Sequence, residues 1–509
     1  MPPETLTVPS FVRPLVGEPD DAIRRGVLAR THPDYTLHQY NWQVLLDAFE
    51  GTGGFLTGDY LWPHPREDNP EFRNRMVMAR YHNYVETIVD LYVRFIFTQG
   101  VKRSTKSREY EEWQKNVDGA GTAYTEFLKR LAAVALVNGH AGCLVDKTTE
   151  PAAGPRQADE QATVVASIFT APSIADWRFV RNTLTQVKLF EQAPEPGIAE
   201  AAAVSTRAYQ YLLWDKEGWA RFDEEGVMTG ADTPGLGLVP LVVLRPKPRQ
   251  TSMMLGRALI SNANVVRALY NRASEEDEAL RAGAFSMLTV EVDKDGDVDQ
   301  VRAQVGNVVG NAKAIVAKGT ITYASPDQTV PGSIRENIAY LVQEVFRGAH
   351  VRYRRDSLAA ESGESIRLQY TELNEMLQGF AKALAQCEKD IARAWFAWTA
   401  TTPEAAQGAY EAADVTAEYP DEFFLDALMT DLEAWGEALH MGLGPLMTKR
   451  IKKRAVRRIE PEISVDDLKK IDDEIDAMGD EPPPSLRPAD LGQFIEEPGV
   501  EGEEVTGAQ

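Results

Sequence analysis

From Ile366 to Trp395, apolar side chains return at steps of three and four: Ile366, Tyr370, Leu373, Leu377, Phe380, Leu384, Cys387, Ile391 and Trp395. That spacing gathers them into one stripe of an α-helix. No proline interrupts it, and at about 1.5 Å per residue the stripe runs for roughly 44 Å. A shorter helix precedes it, with a stripe of Ile334, Ile338, Leu341 and Val345. Ser333 and Glu336 stand in the Ser-x-x-Glu spacing of a capping box, in which each end can satisfy a free backbone N–H of the other. Between the two helices lies a polar loop, His350 to Gly363, that carries His350, Arg352, Arg354 and Arg355. Taken alone, the pair fits two packed helices of an ordinary α-rich domain. A long hinged helix with a charged bend points to mechanics only together with the rest of the chain.

Upstream, the pattern predicts a short helix near Trp42–Phe49. A helical run from Glu71 to about Phe97 follows, with Met76, Tyr84, Ile88, Leu91 and Phe95 on one side. A further helix over Tyr124–Val137 stops at Asn138-Gly139. Strand patterns occupy Gly142–Asp146, Thr163–Thr170, Thr185–Leu189, Tyr209–Trp214 and Leu238–Leu244. Two stretches rich in Pro, Ala, Gly and acids, Thr148–Gln161 and Glu191–Ala203, read as linkers. Together these predict an α+β domain over about 72–250. Arg257–Arg281 is again helical. A small β-rich insert follows, with strand patterns at Ser286–Val292 and Ala314–Tyr323, and Asp421–Met478 is mostly helical. The acid-rich end, with its Pro482-Pro483-Pro484 run, has the composition of a disordered tail.

At 509 residues and 43% hydrophobic, the chain can bury a large core and divide into two to four domains or subdomains. Its two cysteines, Cys143 and Cys387, are far apart in sequence and one sits in a helical stripe, so a disulfide framework is not expected. Met1–Ser10 carries prolines and an acid where a secretory signal needs basic residues followed by an apolar run, so export by that route is not expected. Neither Ile88–Phe97, which contains Asp90 and Arg94, nor Leu131–Val137 is long and apolar enough to span a bilayer. A soluble protein without a membrane partner is expected. The formal charge of −23 argues against a surface that grips nucleic acid all over, because phosphate contact needs Lys and Arg to displace counterions.

Local cations run against that trend. Lys449, Arg450, Lys452, Lys453, Arg454, Arg457 and Arg458 crowd one segment, suited either to phosphate contact or to a solvated helix face pairing with Asp466, Asp467 and neighbouring acids. The run Asp293-Lys-Asp-Gly-Asp-Val-Asp299 resembles a calcium loop. Its glycine is misplaced, however, and Gln304 stands where a bidentate Glu is required, so a solvated turn is the better reading. No Gly-x4-Gly-Lys-Ser/Thr, His-Glu-x-x-His, Cys-x-x-Cys or Gly-x-Ser-x-Gly motif occurs. His32 and His38 are neighbours in poor metal-ligand context, and among 77 carboxylates any chosen glycosidase pair is arbitrary. No catalytic residue, cofactor site or metal site is expected.

Taken in order, these pieces resemble the portal (head-tail connector) proteins of tailed double-stranded DNA bacteriophages. The resemblance rests on Arg75–Phe97 (RMVMARYHNYVETIVDLYVRFIF), on Gly237–Leu244 ahead of a helix with Asn262 and Asn264, and on Ala317–Phe346. The last leads through the loop to Glu361-Ser-Gly-Glu-Ser-Ile366. It covers roughly residues 40–480, through motifs that are individually weak but specific in order and spacing.

The resemblance implies an α+β portal fold, mainly helical, with an α/β wing, a stem, a small β-rich clip and a crown. The implied regions are an N-terminal arm (1–39), a wing (40–255 and 365–420), stem helices (256–283 and 333–348), a clip (284–332), a tunnel loop (349–364), a crown (421–478) and an acidic tail (479–509). It further implies a ring of subunits, most often twelve, assembled in the host cytoplasm and set at one capsid vertex of the virion. Double-stranded DNA passes through such a ring, and terminase, head-completion or adaptor proteins, major capsid protein and scaffolding protein are its partners. His350, Arg352, Arg354 and Arg355 would then be the channel residues, and the 449–458 cations would lie in the crown. The crown matches only by helical character and position, and the two linkers have no clear counterpart. Two alternatives remain: a minor capsid or scaffold-type assembly protein, and a hydrolase with an unrecognised carboxylate site.

Overall fold

In the computed structural model of the chain, the stripe predicted over 366–395 is one helix, Gly363–Thr399, of 37 residues. Leu373, Leu377, Phe380, Leu384, Cys387, Ile391 and Trp395 are all buried, so its apolar face is the one the spacing selects. The structure describes residues 9–10, 21–65, 67–147, 163–192, 209–284, 287–290, 321–324, 329–351, 363–420, 423, 445–459 and 465–477. The calcium-like run 293–299, Arg352, Arg354, Arg355 and the tail 479–509 lie outside these residues. Two compact units divide the chain, Met1–Glu422 and Phe423–Gln509.

The first unit is α+β with antiparallel sheets. Ala141–Lys147 is the middle strand of a three-stranded sheet, between Val164–Thr170 and Leu241–Leu244. Cys143 pairs in register with Ile168 on one side and Val242 on the other. A 3-10 turn, Ala171–Ser173, then leads into a five-stranded meander of Ile174–Val180, Thr183–Gln192, Tyr209–Asp215, Trp219–Phe222 and Met228–Asp232. One apolar core joins Trp42 of the Pro33–Glu50 helix, Leu144 and Leu241 of the first sheet, Trp177 and Trp214 of the second, and Ala397 of the long helix. The second linker is shorter than expected, because Glu191 and Gln192 still belong to a strand paired with Gln210 and Tyr209.

Four helix expectations need correction, the first being the short helix near Trp42–Phe49, which is the 18-residue helix Pro33–Glu50. The 71–97 run is two helices, Asn69–Met78 and Tyr84–Thr98. Asn83 restarts the second, its Oδ1 accepting the Glu86 N–H at 2.9 Å while its Nδ2 donates to Glu86 Oε2 at 3.0 Å. The new start rotates the buried face to Val85, Ile88, Val89, Tyr92 and Ile96, leaving Leu91 and Phe95 half-buried. The helix expected from Arg257 begins at Ala263, after an irregular stretch, and runs to Ala284. The helix expected to be capped by Ser333 begins earlier, at Thr329, so Ser333 lies inside it. Pro331 is tolerated there because first-turn N–H groups have no intrahelical acceptor.

The Asp21–Ala29 helix docks through Leu28 on Ala220, Phe222 and Ala231 of the meander. Lys188 fixes its end. The buried ammonium donates to the Leu28 carbonyl at 2.8 Å and to that of Arg30, taking up carbonyls that the helix leaves unpaired. Burial pushes the Lys188 pKa down from 10.5 to about 8, against the pull of Asp176. Between those values the unfolded chain holds a proton that the folded chain has released, so stability rises with pH across that window. The penalty is fully present below pH 8. Thermal melts from pH 7.5 to 10.5 should therefore show a rising Lys188-dependent component, with Lys188→Met giving the flatter profile.

Candidate functional site

The segment that the sequence singles out starts from two packed helices, Ala263–Ala284 and Thr329–Gly348. They are joined through an antiparallel strand pair, Met287–Val290 with Ile321–Ala324, with Leu288 paired in backbone register with Tyr323. Arg335 is ion-paired with Glu276 across the helix pair. Asp277 takes Arg80 from the break between the 69–78 and 84–98 helices. The guanidinium of Arg267 lies 5.8, 5.5 and 5.4 Å from the ring centres of Tyr40, Tyr60 and Trp62, a cation–π cage that ties the 54–62 segment to the first helix.

The second helix ends at the candidate loop. Val342, Val345 and Phe346 are buried, and Tyr92 donates to the Ala349 carbonyl at 2.6 Å. His350 takes a left-handed φ of 54°, a conformation that stops a helix. Its N–H bonds Arg347 O at 3.0 Å, and Val351 N–H returns to Phe346 O at 2.9 Å. The imidazole Nδ1 stands 3.1 Å from Glu372 Oε2 of the long helix. Of the four expected channel residues, His350 is thus held beside a carboxylate at the mouth of the loop.

The cations of the 445–459 helix belong to the second unit. Lys453 is ion-paired with Asp476 at 2.7 Å, and Lys449 donates to the Asp476 carbonyl at 2.9 Å, at the end of the Val465–Ala477 helix. Cations favour that end of a helix, where the carbonyls are unpaired. The observed partner is Asp476; the side chains of Asp466, Asp467, Arg457 and Arg458 lie outside the described residues. Arg450 and Arg454 are exposed, and Lys452 is half-buried.

Carboxylates do meet in one groove, of about 630 Å³, where Glu67, Glu71, Glu275 and Glu278 share the lining with Arg75. Three are engaged by arginines: Glu67 by Arg75 at 2.7 Å, Glu275 by Arg272, and Glu278 by Arg281 at 3.4 Å. Hydrogen bonds from Arg75 hold the Glu67 carboxyl below its ordinary range, the opposite of what a general acid requires. Burial raises Asp146 to about 6, on the middle strand of the smaller sheet, away from that groove. Among the described residues no group of three His, Cys, Asp or Glu side chains is placed to hold a metal ion. No helix among them is long and apolar enough to cross a membrane. His32 and His38 have other work. The first caps a helix through Asp34 N–H and stacks on Trp177 at 4.2 Å, and the second meets Arg249 at 3.0 Å.

Sequence reasoning missed a second basic cluster in Leu244-Arg-Pro-Lys-Pro-Arg249. Arg245, Lys247 and Arg249 alternate with Pro246 and Pro248, which fix φ along the segment. That alternation was the available signal.

No family model and no curated protein matches the chain. Solved structures do. A chain from the neck of an empty gene transfer agent particle, computed with sixfold symmetry, is 13% identical, covering 70% of this chain and 85% of its own at a TM-score of 0.39. A chain in the virion of the native particle is also 13% identical, over 78% and 94%, at 0.39. A chain from the neck of the native particle, computed with twelvefold symmetry, is 14% identical, over 69% and 84%, at 0.37. Likeness at this level carries no function across.

Proposed function

We propose that the chain is a structural, non-enzymatic component of a phage-like particle, and within it the portal subunit. In this role it forms a ring channel for double-stranded DNA at one capsid vertex and docks terminase and head-completion proteins. The observation that carries the proposal is the order of elements from 263 to 399. Two packed helices carry a strand pair at their joined ends, and a short basic loop then leads into a 37-residue helix. That is the order in which the resemblance places stem, clip, tunnel loop and wing. A channel must let DNA slide, and a chain of charge −23 with few local cations suits weak, transient phosphate contact. The hydrolase alternative is disfavoured because three of the four groove carboxylates are already engaged by arginines.

Native mass spectrometry with negative-stain microscopy of the purified protein tests the ring. Assemblies of about a dozen subunits around a hole of roughly 20 Å or more, wide enough for a duplex that carries paired charges along its axis, are expected. A monomer or dimer under all assembly conditions would refute the portal. Within the portal role, Arg352, Arg354 and Arg355 face the DNA. Replacing all three with Glu should lower DNA packaging and retention in particles by at least tenfold while rings still form. Unchanged packaging would remove these residues from the channel.

A further inference from the structure

We propose that the small cavity between the basic segment 245–249 and the end of the 329–348 helix is a binding site for a phosphate group. The cavity, of about 180 Å³, is lined by Lys247, Arg257, Ser261 and His350, with Tyr92, Met376 and Phe380 among its apolar walls and no carboxylate in the lining. Its size sets the ligand class. Sites for drug-sized molecules begin near 300 Å³, so this one suits a single tetrahedral anion or one backbone phosphate, not a whole nucleotide.

The charges point the same way. Acids outnumber Lys and Arg in this chain, 77 to 54, and Arg75, Arg80, Arg103 and Arg335 each hold one in an ion pair. Lys247 and Arg257 do not: among the described residues, neither has a carboxylate within ion-pair distance. Among the described residues, Lys247 Nζ meets the Met376 sulfur at 3.7 Å, a weak acceptor. Glu372, among the described residues, reaches the lining at His350, its Oε2 3.1 Å from Nδ1. Two like charges facing one cavity repel each other, and an anion between them relieves that cost.

The backbone sets the spacing of the two cations. Arg257 N–H donates to Lys247 O at 2.8 Å, and Pro248 bridges to Gly256, so the two arms form a short antiparallel pair. Pro246 and Pro248 limit the freedom of the Lys247 arm. Arg249, bonded to Gly256 O at 3.2 Å and to His38, closes the far end of the same pair and adds positive potential. A planar guanidinium, a point-charge ammonium and the Ser261 hydroxyl together supply the donor set that phosphate oxygens accept. The site stands on this geometry and does not depend on ring formation.

Two sources share the chemistry, free phosphate and a nucleic-acid backbone, and one experiment separates them. Acetylation of Lys247 by an N-hydroxysuccinimide ester is followed by peptide mass spectrometry on the unmodified full chain. Samples contain orthophosphate, a 20-base-pair DNA duplex, or sodium chloride at matched ionic strength. Orthophosphate should slow Lys247 acetylation at least fivefold relative to chloride, while exposed Lys106 is unaffected. Protection by orthophosphate without duplex assigns a free anion. Protection by the duplex, with or without orthophosphate, assigns a backbone phosphate. Equal acetylation under all three conditions overturns the site. Calorimetric titration of orthophosphate gives the second measurement, in which Arg257→Gln should weaken binding at least tenfold. Unaltered binding by a folded Arg257→Gln protein also overturns it.

Discussion

Replacing Glu388 with alanine is expected to destabilise the first unit by about 3–5 kcal/mol, the cost of leaving a buried charge without its partner. Glu388 is 2% exposed on the long helix. It receives Arg103 Nε at 2.6 Å and Nη2 at 2.9 Å, and the Tyr419 hydroxyl at 2.5 Å. Arg103 is further held by Thr125 at 2.8 Å and lies 5.3 Å from the ring centre of Tyr124. Burial works against the Arg103 charge, but the Glu388 bonds outweigh it and raise the guanidinium pKa; burial and Glu388 together raise that of Tyr419. One carboxylate therefore ties the strand pair Lys102–Ser104 with Thr416–Glu418 to the long helix. A loss of that size is a large part of the 5–15 kcal/mol that domains typically have. Urea unfolding at pH 7 measures it. The double variant Arg103→Met/Glu388→Leu should recover most of the loss, because replacing both charges with apolar groups removes the desolvation cost along with the attraction. A single-variant shift below about 1 kcal/mol would place the pair in the class of solvated surface bridges.

Glu388 also marks the limit of what the sequence made legible. The helix it belongs to was plain, because an apolar stripe at three-and-four spacing is a local signal and Leu373 to Trp395 bury along it. The acid beside the stripe has its partner 285 residues away, and nothing within a turn of it announces that partner. The break at 79–83 was legible in principle. Arg80, Tyr81 and His82 are compatible with a helix, but Asn83 three positions before Glu86 is an N-terminal signature that a continuous hydrophobic pattern outweighed. The strand Ile174–Val180 was hidden for another reason. It follows Val164–Thr170 after a three-residue 3-10 turn and joins a different sheet, and alternation reports strand character without saying which sheet a strand enters. The basic loop was legible as composition, and the basic pair Lys247 and Arg257 was not, since ten residues and a β-bridge bring them to one cavity.

Gly256 carries the second large effect. A Cβ at this position would sit inside the van der Waals envelope of the Gly139 carbonyl oxygen and 3.2 Å from Lys247 O. Gly139 is the left-handed stop of the Tyr124–Asn138 helix, at φ 87°, and its own Cβ would meet Ala258 N and Gly256 O at 2.7 Å. Two glycines thus let the end of one helix lie backbone to backbone against the arm that holds Arg257. The obstacle is main chain on both sides, which has no rotamer through which to escape. Gly256→Ala should therefore cost at least the upper part of the about 1–3 kcal/mol typical of an overpacked core, and it should displace Arg257 from Lys247. Gly379 is the matched contrast. It is exposed in the middle of the long helix with nothing within 4 Å of its absent Cβ, so Gly379→Ala should stabilise by about 1 kcal/mol through helix propensity alone. Urea midpoints for the two variants should move in opposite directions. Equal small shifts would mean that the approach of the 139 and 256 backbones is not a constraint on the fold.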